Sequence, residues 1–372
     1  MHINLFVPDP DSEDYEITNY TSYSFSSDLY QLSDMAEVTV PYEEGNPMVP
    51  GSQIIATLGD FQGDESQTVF GGVVDAVSHD YNKTGHSVTL RCRDYSAFLV
   101  DEYCSKFRDY TSGTAYDIFR ELIDNVSAVK YKDLVPDDMF ELVDDKDLKA
   151  YSISSSNPFK IEPGDTVAVK LQELAARMGV DFYYLEDSSI FFGKLDDYRA
   201  LEHANGYGTH TIWINNANEN KAVKSCNYTN SIADRYSHIR LFGETQRGTS
   251  VSSTTYDNDL LWNKQYVQSF NDQSSSLANR GIEIREQQRA AGFELEYTII
   301  GHHQEDHSWQ INRDVDVRDS IIGVRGIYVV NSRTMMYGPT TGSETYIRLG
   351  LVKDYTNDPP PDPTGNTWKA QG

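Results

Sequence analysis

The chain has 372 residues, a length that suits two to three domains, and its 57 Asp and Glu outweigh 31 Lys and Arg to give a formal net charge of -26. Such a surface repels phosphate, which argues against a protein built chiefly to grip nucleic acid. Hydrophobic content of 38%, with 25 Tyr and 15 Phe, argues against a disordered acidic chain and leans toward sheet.

The amino terminus, MHINLFVPDPDSEDYEI, lacks a basic n-region and reaches Pro8 after a short apolar patch, so it does not read as a signal peptide. No run approaches the length of apolar sequence that a transmembrane helix needs. Short alternating runs follow, EITNYTSYSFS, AEVTVPY and SQIIATLGD, then the hairpin FGGVVDAVSHDYNKTGHSVTLRCRD over 70–94. Their period of two and their Gly and Pro punctuation predict an antiparallel barrel, placed at 1–108. The pattern changes at TSGTAYDIFRELIDNV, where Thr111 or Ser112 can cap a helix whose apolar positions are Ala115, Ile118, Phe119, Leu122 and Ile123. A second helix, TVAVKLQELAARMGV, follows Gly164-Asp165 and ends at Gly179; the aromatic runs FYYLED and SIFFGKL then predict a hairpin. These make a peripheral α+β domain over 109–220.

A strand is predicted over 237–243, followed by a polar stretch, 246–280, that reads as a surface excursion, and by a helix in LANRGIEIREQQRAA that Gly281 weakens. FELEYTIIGH, DVDVRDS, GIYVVNSRTMMYG and ETYIRLGLV give four more strands. With 221–245, residues 292–356 form a second tube-like barrel, 246–291 a surface insertion with a helix, and 357–372 a Pro-rich arm reaching Trp368. The last four strands follow the order and character of AEVTVPY, SQIIATLGD, GGVVDAVSHDY and HSVTLRCRD, with Gly72 matched to Gly326. The fold expected is therefore mainly β with α+β insertions, holding two related antiparallel tube-like β-barrels. Duplication lets a few copies of a chain form a ring with twice as many quasi-equivalent positions.

Candidate chemistry is sparse. His303 and His307 in GHHQEDHSW, beside His302, Glu305 and Asp306, would face one side of a helix and could hold a metal, but the segment lies between strands and reads as a turn. Asp314, Asp316 and Asp319 resemble alternating calcium ligands without the glycine of an EF-hand loop; alternation is taken to put them on one face of a strand. Cys92, Cys104 and Cys226 form no CxxC and are expected as reduced, mostly buried thiols of a chain assembled in a reducing cytoplasm. Arg91 and Arg93 are expected to pair with acidic neighbours across strands. No GxSxG, GxGxxG or GxxxxGK occurs, so no catalytic, cofactor or metal residues are assigned.

The stretch Gly72-Val73-Val74-Asp75-Ala76-Val77, then Val88 to Asp94 with Cys92 at a usual Gly, then Leu99-Val100-Asp101, resembles the phage baseplate hub proteins related to the late-control D protein and the Mu tail hub. Gly164, Asp165, Thr166, Leu171, Leu174, Ala175, Gly179 and Val180 fit the family's helix segment, and Ser237, Ile239 and Gly243 a later strand, so the resemblance spans roughly residues 15 to 355. It implies a non-enzymatic homotrimer in the virion tail baseplate, whose barrels form a pseudo-sixfold ring between a sixfold tail tube and a threefold spike. Implied partners are the central spike, tube or tube-initiator proteins, surrounding baseplate proteins and a tape measure protein, with DNA in transit through the lumen. Two other readings stay open: a tail-associated cell-wall or glycan-degrading enzyme with its catalytic unit in the middle domain, and a carbohydrate-binding module suggested by the Tyr content.

Overall fold

A computed structural model describes residues 3–7, 15–42, 48–59, 67–83, 85–126, 139–156, 158–186, 188–215, 222–244, 250–260, 262–270, 274–305 and 307–354. The Pro-rich arm expected at 357–372 lies outside them. The chain is mainly β and divides into two compact units, one of Met1–Ala175, Val180–Tyr228 and Glu294–Val352, the other of Ala176–Gly179, Thr229–Phe293 and Lys353–Gly372.

The first unit begins with strands β1 (Ile3–Val7), β2 (Tyr15–Ile17), β3 (Ser22–Asp28), β4 (Met35–Pro41), β5 (Gln53–Leu58), β6 (Gln67–Asn82) and β7 (Gly85–Asp94). Alternation works as the sequence suggests: Tyr23, Phe25, Val38, Val40, Val88, Leu90 and Cys92 are buried while their neighbours are not. A short helix α1 (Ala97–Asp101) leads to β8 (Arg108–Tyr110) and α2 (Ala115–Asp124). Thr114, rather than Thr111 or Ser112, caps α2, because Asp117 three residues on completes a reciprocal capping box with it. Next come α3 (Lys146–Ala150), β9 (Phe159–Ile161), α4 (Val167–Met178), the hairpin β10 (Asp181–Tyr184) and β11 (Ile190–Gly193), α5 (Leu195–Ala204), β12 (His210–Ile214) and β13 (Val223–Asn230).

The second unit contains β14 (His238–Glu244), β15 (Ser250–Tyr256), β16 (Gln265–Phe270) and α6 (Ser274–Gly292). Two expectations change here. The strand expected with the second barrel pairs instead with β15 and β16 in a separate three-stranded sheet, and the polar excursion supplies those two partners. Their Ser and Thr side chains hide a strand signal because the sheet buries little of its surface: Ile239 and Leu241 of β14 pack on Leu277 of α6, while most of β15 and β16 stays accessible.

The chain then returns to the first unit through β17 (Phe293–Ile300), β18 (His303–Gln304), β19 (His307–Ser308), β20 (Asp314–Asp319), β21 (Val324–Gly338) and β22 (Gly342–Gly350). Its main sheet runs β13-β17-β22-β21-β3-β4-β7-β6-β5-β1-β2, with β20 and β12 joined to β21 off that path. β12, expected in the peripheral domain, thus lies in the main sheet, parallel to β20.

The repeat is written in this pairing. β4 pairs with β7, β7 with β6 and β6 with β5; β17 pairs with β22, β22 with β21 and β21 with β20, all antiparallel. Both long strands carry a bulge at the corresponding place, at Asp75 between Val74 and Ala76 and at Asn331 between Val330 and Ser332. This register makes Gly72 the counterpart of Tyr328, two residues from Gly326, the match expected from sequence. Glu37 lies opposite Arg91 in the first half, and Glu296 lies opposite Arg348 in the second.

Candidate functional site

The two β halves meet along one seam, where β21 pairs antiparallel with β3 from Ser332↔Asp28 to Tyr337↔Tyr23. Tyr23 stacks on Tyr337 with ring centroids 5.6 Å apart, Ser26 Oγ lies 3.1 Å from Thr334 Oγ1, and Arg348 reaches across to Asp28 at 2.8 Å. His302 is buried beside the seam, with Nε2 2.8 Å from the Tyr23 hydroxyl and Nδ1 2.9 Å from Thr345 Oγ1. Burial, followed by the Arg333 charge, depresses its pKa to about 4.

A second joint fixes the α/β elements to the sheet through buried arginines. Arg333, with a fully buried side chain, donates from Nη1 to Trp309 O and from Nη2 to Val69 O at 2.9 Å, and pairs with Glu186 at 3.1 Å. Arg199 donates to Asn312 Oδ1 at 2.9 Å and pairs with Asp314 at 3.0 Å and with Asp196. Asn312 in turn donates to the Tyr183 hydroxyl and Leu195 O. Around them Tyr183, Phe191, Leu195 and Tyr198 pack against Leu29 after β3 and Ile311 before β20, so the aromatic hairpin touches both halves. Nothing in the sequence singles these arginines out, since the signal for burial is the partner and the partners are distant in the chain.

Asp94, 4% exposed, is within 2.8 Å of Ser33 Oγ and 2.5 Å of Ser96 Oγ. Burial lifts its pKa to about 7 against the pull of those hydroxyls, and burial with the Asp94 charge raises Asp34 well above the carboxylate range. Among the described residues these two acids come nearest to a catalytic pair, but neither lines either of two cavities of several hundred Å³. Those two cavities lie in the second unit, one of about 540 Å³ beside Trp262 and Arg235 and one of about 460 Å³ beside Tyr266 and Arg280.

The residues weighed from the sequence are scattered. His303 and His307 lie on the two-residue strands of a hairpin, His303 opposite Ser308, so they share no helical face; Asp306 is outside the described residues. Among the described residues no group of three or more His, Cys, Asp or Glu could hold a metal. Asp314 and Asp316 share a face, but Asp319 does not: an odd spacing turns it inward, where it is 3% exposed and accepts from the Tyr297 hydroxyl and Ile321 N. Arg91 pairs with Glu37 at 3.3 Å, and Arg93 with Asp75 at 2.5 Å and Asp101 at 2.7 Å, as acidic neighbours suggested. Cys92 and Cys104 are buried, their thiols pushed up to about 12 and about 11 by burial, whereas Cys226 is exposed on β13.

Neither a family model nor a curated protein matches the sequence. Solved structures do match. The chain is similar to the tail protein from Neisseria meningitidis at a TM-score of 0.74 and 18% identity, over 94% of this chain and 97% of the other. It is similar to the 43 kDa tail protein of prophage MuSo2 from Shewanella oneidensis at 0.71 and 18%, over 94% and 98%. A third match, at 0.53 and 9% over 92% and 76%, is an E. coli type VI secretion component described as structurally similar to the T4 bacteriophage tail proteins gp27 and gp5. What the chain shares with these tail and secretion proteins is their fold, in agreement with the resemblance read from its motifs.

Proposed function

We propose that the chain is a structural baseplate hub of a phage tail or related contractile injection device. Three copies form a ring of six quasi-equivalent β units that joins a sixfold tube to a threefold spike, other baseplate proteins surround it, and DNA passes through its lumen. The observation that carries this reading is the doubled strand pairing, with its two bulges at corresponding places, because it gives each chain two similar interfaces where a simple subunit has one. The tail-protein fold supports the same reading. A formal charge of -26 suits a conduit: carboxylates repel DNA phosphates within about 8 Å at physiological salt, so DNA slides without adhering. The role is geometric rather than catalytic, and the enclosed, serine-bound position of Asp94 fits an acid that holds loops together.

Mass measurement in solution, alone and with a spike protein, tests the proposal. Trimers with no activity on peptidoglycan are expected; a monomer in both conditions that cleaves glycan would overturn it.

A further inference from the structure

The strand pairing repeats with one gap. In the second half, Ser332–Tyr337 of β21 pairs with β22 on one side and with β3 on the other. By the register of the two bulges, its counterpart is Ala76–Tyr81 of β6. That stretch pairs with β7 on one side; on the other, the last bonds link Val74 to Gly51 and Ser52, and no described strand takes over beyond them. The counterpart of β3 is β13, which lies beside β17 as β3 lies beside β4, and which ends the path of the described strands. One chain therefore contains one complete seam and, on separate edges, the two sides of a second.

We propose that Ala76–Tyr81 of β6 in one copy pairs antiparallel with β13 of a second copy, reproducing between chains the β21–β3 seam within each. Closure into three copies rests on the hub reading; the pairing itself is tested separately. Both edges are accessible: Ser78 to Tyr81 are exposed, Tyr81 by 80%, and β13 is exposed from Lys224 onward. Exposed sheet edges of this length recruit further strands unless they are blocked, and neither carries a proline. The internal seam also supplies a register. Asn227 donates to Glu296 at 3.2 Å and the Cys226 thiol lies beside Tyr297. Tyr297 is the counterpart of Val38, and Val38 lies opposite Tyr23, so Cys226 corresponds to Tyr23. Tyr23 faces Tyr337, whose counterpart is Tyr81. Cys226 of one copy should thus fall opposite Tyr81 of the next.

Full-length Tyr81→Cys and, to cover a slip of one residue, Asp80→Cys are exposed to mild oxidant and resolved without reductant. Disulfide-linked multimers are expected from at least one variant, at tenfold or more above Tyr103→Cys, an exposed control, and they should vanish when Cys226→Ser is added. Linkage no greater than the control overturns the seam. If mass measurement then still gives a trimer, the hub reading survives and only the pairing falls; if it gives a monomer at every concentration, both alone and with a spike protein, both fall.

Discussion

Arg333 shows what a single residue does here. Its guanidinium, fully buried, ties Glu186 to carbonyls before β20 and in β6, so removing it leaves a carboxylate in the interior without its cation. Breaking such a pair costs about 3–5 kcal/mol, whereas replacing both partners costs much less. Urea unfolding of Arg333→Met should show a loss of that size, and Arg333→Met with Glu186→Gln should recover a large part of it. His302 gives a pH signature. Its pKa is depressed to about 4 in the folded chain, so its contribution to stability is complete above pH 6.5 and is lost as pH falls through 4. His302→Gln should flatten the stability curve over that window, by at most about 1.4 kcal/mol per pH unit; an unchanged slope would show that the imidazole does not stay neutral. Neither residue was legible in the sequence: one Arg among 31 cations and one His in a polar turn look solvated until strands distant in sequence close over them.

At the scale of elements, alternation and glycine placement carried most of the information. The hairpins 70–94 and 324–350 were legible because each half-buried strand alternates and each turn is polar. What escaped was β15 and β16, whose faces bury too little to leave an apolar pattern, and the pairing of β14, which no local signal sets. By propensity Gly281 weakens α6, yet a Cβ there would stand 2.1 Å from Thr255 Oγ1 of β15. The glycine lets helix and sheet approach, at the cost of helix propensity. Gly281→Ala should therefore destabilise the second unit by about 1–3 kcal/mol, opposite in sign to the gain of about 1 kcal/mol from propensity alone. Thermal unfolding of that variant decides between them.

Across the whole molecule, the order of strands was visible in the sequence, and the duplication was visible only as similarity of character. The structure supplies the stricter form: the same three pairings and the same bulge in each half, in a tail-protein fold. Repetition breaks at the next strand along, where β1 runs antiparallel to β5 but β12 runs parallel to β20, so the two halves are alike at their seams and different at their flanks. On the proposed hub reading, that difference suits an adaptor between sixfold and threefold partners, with likeness on the tube side and a threefold distinction elsewhere.

The most direct measurement is an electron cryo-microscopy reconstruction of the chain assembled with its tail, computed without imposed symmetry. Three chains and six similar sheet units are expected around one lumen, with β6 of each chain beside β13 of the next. A ring of six chains, or three chains whose second halves lie outside the ring, would contradict the hub reading.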